Sequence, residues 1–222
     1  MKSLEYLSKS EPITLVGGSE LRSIDLFACL KMAPNLVAVD GGANKLRSLN
    51  IIPKYIIGDM DSVKNLNYFI DRNAKIIHIP EQQTTDFDKS LRTFYNSKYI
   101  LALGFMGKSS DHSLAAFSAI LKRPKQNIII INKYDLVMVL PSKISLKLPR
   151  RTKLSIFPFA EIKGLSSKGL KYPLNNIHFS PFGMLGVRNE TNEEIIEIEA
   201  DSTKALLLLP REHLSIIIDQ LF

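Results

Sequence analysis

The stretch Tyr55-Ile56-Ile57-Gly58-Asp59-Met60-Asp61-Ser62 sets two aspartates two residues apart behind a short β-branched run and a glycine. Such a pattern reads as a buried strand that delivers both carboxylates to its C-terminal end. Sites of open α/β sheets lie at that edge. Short carboxylates fixed on backbone suit Mg²⁺, a hard cation that takes oxygen ligands and in turn holds phosphate oxygens. Gly-Asp and Asp-Ser are also ordinary turn chemistry, and what favours a site is recurrence. Leu36-Val37-Ala38-Val39 runs into Asp40-Gly41-Gly42-Ala43-Asn44, which places a carboxylate and two amides without a Cβ neighbour at a second strand tip, where a phosphate could be approached closely. A tight turn would look the same. Between Leu36 and Asp111 the acids are Asp40, Asp59, Asp61, Asp71, Asp86, Asp88 and Asp111, with Glu81 the sole glutamate. Surface helices usually mix in glutamate, so this bias favours rigid carboxylates at strand ends and helix starts.

Two further stretches carry chemistry. Thr84-Thr85-Asp86-Phe87-Asp88-Lys89 opens a helix, where Thr85 or Asp86 suits the N-cap and Asp88 the positive end of the dipole. Gly104 to His112 joins a strand to a helix through two glycines, Lys108, Ser109 and Ser110, a composition that can cradle an anion at a helix N-terminus. The P-loop spacing is missing. His78, His112, His178 and His213 have no zinc-site spacing, and only His112, beside Asp111, invites a functional reading. No Gly-x-Ser-x-Gly elbow supports an esterase triad.

The elements that must position these residues alternate strand-like and helix-like segments from residue 13 to 140, which implies a largely parallel sheet with helices on its faces. After Pro141 helical periodicity fades, and short apolar segments such as Leu154 to Phe159, Ile195 to Ile198 and Leu206 to Leu209 predict a small antiparallel β domain. The expected division is therefore residues 1–142 and 143–222. A length of 222 residues, 45% hydrophobic, is enough to build buried cores in both. The lone Cys29 lies in an apolar run and reads as a packed thiol, and one cysteine forms no disulfide within a chain, which fits a cytoplasmic location. Met1 to Lys9 shows no targeting pattern and no apolar run is long enough to span a bilayer, so no membrane role is expected. The net charge of +7 would suit small polyanions such as nucleotides. The basic cluster from Lys143 to Lys153 alternates with apolar residues as the solvent face of strands does, so no nucleic-acid partner is expected.

Taken in order, Asp-Gly-Gly-Ala-Asn (40–44), Gly-Asp-Met-Asp-Ser (58–62), Thr-Asp-x-x-Lys (85–89) and Gly-x-x-Gly followed by Asp-His (104–112) resemble the thiamin pyrophosphokinase family. The similarity continues through Leu154-Ser155-Ile156-Phe157-Pro158 and Gly169 to Leu174, nearly the whole chain from Ile13. It implies a Rossmann-like α/β domain followed by a β-sandwich domain, a homodimer, and transfer of a diphosphate from ATP to the thiamin hydroxyl with release of AMP. By position it implies Asp59, Asp61 and Asp86 at Mg²⁺, with Asp86 also near the substrate as candidate proton acceptor. Asp40, Gly41, Gly42, Asn44, Lys108, Ser109, Asp111 and His112 would serve nucleotide and phosphates, and Gln82, Arg188 and Asn189 would lie near thiamin. The chain departs from the family pattern where Gly107-Lys108-Ser109 replaces Gly-Gly-Arg, where Ala116 replaces an asparagine, where Arg188-Asn189 replaces Ser-Asn, and in having no tryptophan.

Two other classes compete. Asp59-x-Asp61-x-Val63 fits the first motif of phosphatases with an aspartyl nucleophile, although no second acidic metal motif follows. A nucleotide- or thiamin-binding module without catalysis is the non-enzymatic reading. Product identity separates the three: AMP, inorganic phosphate, or none.

Overall fold

A computed structural model describes residues 11–222, so the targeting reading of Met1 to Lys9 lies outside the described residues. The chain divides into two compact units, one running up to Ala119 and including Gln126–Asn132, the other formed by Ile120–Lys125 and Lys133–Phe222.

The first unit alternates strand and helix: β1 (Ile13–Val16), α1 (Ser23–Met32), β2 (Asn35–Val39), α2 (Gly42–Ser48), β3 (Tyr55–Gly58), α3 (Leu66–Ile70), β4 (Lys75–His78), α4 (Asp86–Thr93), β5 (Ile100–Leu103), α5 (Ser110–Leu121) and β6 (Ile128–Ile131). The strands lie in the order β6-β5-β1-β2-β3-β4, every pair parallel. Parallel strands covered on both faces are apolar along their length rather than alternating, and β1, β3, β5 and β6 are buried at every position. Each isoleucine or leucine so buried contributes on the order of 1.5–3 kcal/mol. The edge strand β4 is partly exposed. After β4 the chain returns to the far side of β1, so the loops leaving β1 and β5 diverge, and the crevice between them is where such sheets bind ligands.

Local chemistry explains the helix positions. Thr85 caps α4 by accepting from the Asp88 amide at 3.2 Å. The helix turns Phe87, Lys89 and Leu91 inward against β3. α1 buries Leu26 and Cys29, and burial together with the Asp25 carboxylate pushes the Cys29 thiol up to about 12, so it is the inert, packed residue expected. At Gly42 a side chain would meet the Val16 carbonyl oxygen at 1.9 Å, so the start of α2 can sit on β1 only as glycine.

The second unit is antiparallel: β7 (Asp135–Val139), β8 (Lys143–Lys147), β9 (Lys153–Pro158), β10 (Ile162–Lys168), β11 (Ile177–Phe179), β12 (Gly186–Glu190), β13 (Ile195–Ala200) and β14 (Ala205–Pro210), then α6 (Leu214–Leu221). One sheet runs β12-β9-β14-β7 and the other β11-β10-β13-β8. In β8 and β13 buried and exposed residues alternate, as a sheet with one covered face requires. The Phe179 ring of one sheet closes on Gly186 of the other.

α6 is a helix in the stretch after Pro141, where little helical periodicity is expected. Leu214, Ile217 and Ile218 repeat at i, i+3 and i+4 and are buried, but eight residues are too short for the period to stand out after a strand of four leucines. Gln220 fixes it by accepting from the Lys147 amide at 2.7 Å and donating to the Lys147 carbonyl at 3.0 Å. Among the described residues no helix is long and apolar enough to cross a membrane.

Candidate functional site

Strand ends and helix starts of the first unit line a cleft of about 520 Å³. β1 contributes Gly17, Gly18 and Ser19; β2 contributes Asp40 and Gly41; β3 leads to Asp59, Asp61 and Ser62; and β5 gives Gly104 and Phe105. Gln82, Thr85, Asp86 and Phe87 enter from the start of α4, and Lys108, His112 and Ala116 from the loop and first turns of α5.

Backbone held in unusual conformations aims the carboxylates. Asp40 and Met60 have positive φ, 42° and 69°, a region that non-glycine residues occupy at a cost and that clusters at functional sites. Gly58 has φ +144°, and a Cβ there would lie 3.0 Å from the Asp40 Cβ and 3.1 Å from Asp86 Oδ1. Glycine thus permits both the β3 exit and the convergence of two carboxylates upon it. The Ser62 amide donates to Asp40 Oδ1 at 3.2 Å, and the Asp61 amide to Asp59 Oδ1 at 3.3 Å. Asn44 joins α2 to the same loop, donating to the Ser62 carbonyl at 2.7 Å and accepting from the Lys64 amide at 2.8 Å.

The result is a group of three carboxylates, Asp40, Asp59 and Asp61, each offering an oxygen within 4.8 Å of the others. An all-oxygen, all-anionic donor set at this spacing fits a hard divalent cation. Asp86 stands against a different partner: its Oδ1 lies 2.9 Å from Lys89 Nζ, which also lies 3.4 Å from Asp59 Oδ2. Burial raises the Asp86 pKa, Lys89 opposes it, and Asp59 and Asp40 add to it, leaving Asp86 above the usual carboxylate range. Burial pushes Asp59 up too, but hydrogen bonds from the Asp61 amide and Gln82, with Lys89, hold it below its ordinary value. Lys89 loses proton affinity to burial and regains more from Asp86 and Asp59, so it stays above the ordinary lysine value.

The expected site residues distribute as follows. Asp40, Gly41, Asn44, Asp59, Asp61, Gln82, Asp86, Lys108 and His112 line the cleft together. Gly42 is spent on helix packing. Ser109 and Asp111 stand beside the cleft at the start of α5; the Ser109 hydroxyl and the His112 amide hold the Asp111 carboxyl below its usual range. Gln82 donates to Asp59 Oδ2 at 3.0 Å. Arg188 and Asn189 belong to the second unit. Asn189 is buried, its amide engaged with Tyr172 N and O and the Glu190 amide, while Arg188 is exposed with φ 58°.

Sequence reasoning passed over Lys89, Lys45 and the aromatic wall. Lys89 stood in the quoted Thr-Asp-x-x-Lys motif, where i, i+3 spacing from Asp86 on a helix was signal enough. Lys45 lines the cleft from α2 with no distinguishing spacing. Phe87 and Phe105 stack with ring centres 4.0 Å apart and both line the cleft, a pairing between segments eighteen positions apart that no local pattern announces.

Comparison with known proteins identifies the family. The family profile described as thiamin pyrophosphokinase, catalytic domain, matches residues 27–131, and that described as thiamin pyrophosphokinase, vitamin B1 binding domain, matches residues 142–204. Thiamine pyrophosphokinase of Bacillus subtilis (strain 168) is 30% identical over 164 residues, 69% of this chain and 77% of the relative. Thiamin pyrophosphokinase 1 of Caenorhabditis elegans is 28% identical over 186 residues, 75% of each. The crystal structure of yeast thiamin pyrophosphokinase superposes with a TM-score of 0.78 at 18% identity, covering 99% of this chain and 90% of that one, a likeness of fold. By its sequence matches, and with that fold, the chain belongs to the thiamin pyrophosphokinase family.

Proposed function

We propose that the chain transfers a diphosphate group from ATP to the hydroxyl of thiamin, giving thiamin diphosphate and AMP. The observation that carries this reading is the convergence of Asp40, Asp59 and Asp61 in a cleft that Lys45, Lys108 and His112 also line. A site with carboxylates for a cation and cations for phosphate oxygens, and without an activated serine or cysteine, is built for charge neutralisation and in-line positioning, which is what phosphoryl-type transfer demands.

In the proposed mechanism the thiamin oxygen attacks the β-phosphorus. An O–Pβ bond forms as the bond from Pβ to the α-bridging oxygen breaks, and AMP leaves with that oxygen. Mg²⁺ held by Asp40, Asp59 and Asp61 would neutralise charge on the polyphosphate. Asp86, whose raised pKa favours taking a proton, accepts the hydroxyl proton. Lys108, Lys45 and His112 hold phosphate oxygens, with Gly41 leaving room for close approach. Phe87 and Phe105 give the cleft an apolar wall against a flat ring. Gln82 is the first unit's candidate for thiamin, and the second unit's is Arg188, next to Asn189, which is engaged with Tyr172. We read the working molecule as a cytoplasmic homodimer.

The decisive assay supplies Mg²⁺, ATP and thiamin to the full chain and identifies products. AMP and thiamin diphosphate in equal amounts are expected. Inorganic phosphate without AMP would instead indicate a phosphatase, and binding without turnover a non-catalytic module.

A further inference from the structure

Lys89 is 1% exposed, yet its ammonium is shared between two carboxylates, 2.9 Å from Asp86 Oδ1 and 3.4 Å from Asp59 Oδ2. Burying an ammonium is costly unless it is paired, and the helix that carries it is set by the Thr85 cap and the inward faces of Phe87 and Leu91. Asp40 and Asp86 approach Gly58 and Asp59 follows it in the chain, and Lys89 is a buried positive charge held between Asp59 and Asp86. It shares Asp59 with the group of three that fits a cation, so any divalent ion entering there meets repulsion from the ammonium and competes with it for one ligand.

We propose that Lys89 is a positioning residue that sets the divalent-cation affinity of the site by competing for Asp59, holding it low enough for a nucleotide-borne cation to enter and leave. The inference rests on the reading of Asp40, Asp59 and Asp61 as cation ligands. Its distinctive consequence is one of sign. Removing a residue that only supports the fold leaves metal affinity unchanged or weakens it, whereas removing a competing cation strengthens it.

The test is calorimetric titration of the full chain with Mn²⁺ alone. Lys89→Met, close in shape and uncharged, should bind Mn²⁺ about tenfold or more tightly than wild type, because a unit charge a few ångströms away is removed in a partly buried setting. Lys89→Arg, which keeps the charge, should stay within about threefold of wild type. Should Lys89→Met fail to fold, the same comparison is available between Asp86→Asn and the double variant Asp86→Asn/Lys89→Met, in which Asp86 leaves no charge without its partner and Asp59 keeps the Asp61 amide and Gln82; the double variant should bind Mn²⁺ about tenfold more tightly than Asp86→Asn. Turnover of Lys89→Met should fall while its Mn²⁺ affinity rises. Equal or weaker Mn²⁺ binding after loss of Lys89, in a wild-type background that binds the ion, overturns the assignment to Lys89 and leaves the cation site standing. A wild-type chain that takes no Mn²⁺ overturns the cation site and this inference with it.

Discussion

Single residues decide the chemistry here through charge and reach. Asp59 and Asp61 occupy one loop, and amides of that loop hold Asp59 and Asp40 in place, so an amide in place of a carboxylate removes charge while keeping shape. Asp59→Asn and Asp61→Asn should each lower kcat by on the order of 10²-fold with an unchanged melting temperature, since stabilising charge in the transition state is worth several kcal/mol. Near wild-type turnover of both at low Mg²⁺ would remove them from the cation site. Lys108 is exposed in the α5 loop and lines the cleft where the family pattern carries an arginine one position later, at Ser109. An ammonium can neutralise a phosphate but lacks the planar fork that holds two oxygens at once. Lys108→Ala should therefore cost roughly 2–4 kcal/mol in kcat/KM for ATP, and Ser109→Arg in the same chain should recover part of it. An unchanged kcat/KM in Lys108→Ala would pass the phosphate contact to Lys45 or His112.

At the scale of elements, the start of α4 couples stability to the site. Thr85 caps the helix whose next four residues include Asp86 and Lys89, so a frayed first turn displaces the Asp86 carboxylate and the Lys89 ammonium together. Thr85→Ala should cost about 0.5–2 kcal/mol in chemical denaturation, the usual worth of a side-chain cap. Thr85→Ser, which keeps the acceptor oxygen, should restore most of it and most of the lost turnover; if turnover stays low in the serine variant, Thr85 acts on substrate through its methyl group or its place in the cleft rather than through the helix. Upstream, Glu81 is held down to about 2 by hydrogen bonds led by Thr84, with Arg92 also on it, so the segment bearing Gln82 is pinned at both sides. The antiparallel unit shows the same economy at α6, where one glutamine side chain closes the exposed backbone of β8.

For the molecule as a whole, stability should carry a pH signature from its one cysteine. The folded thiol is raised from 9.0 to about 12, so above pH 9 the unfolded chain ionises while the folded one keeps its proton. The contribution is fully present below pH 9 and is lost as pH rises toward 12, at up to about 1.4 kcal/mol per pH unit. Denaturant midpoints measured between pH 8 and 10.5 should fall, and Cys29→Ala should flatten the slope; an equal slope in the variant would assign the loss to other groups. Much of the molecule was legible without coordinates. Strand ends at Val39 and Gly58, the cap at Thr85 and the buried Cys29 are written in periods of two and 3.6 and in residue types whose preferences act over a few positions. Family motifs in their order carried the chemistry further. What local pattern could not settle was which carboxylates meet: Asp40 joins Asp59 and Asp61 because β2 and β3 lie side by side and Gly58 leaves the space, while Asp86 turns to Lys89 because α4 buries that lysine against the sheet. The stacking of Phe87 on Phe105 and the docking of Gln220 on β8 are of the same kind. Distances between residues far apart in sequence depend on the packing of whole elements, and only the tertiary structure sums those contacts.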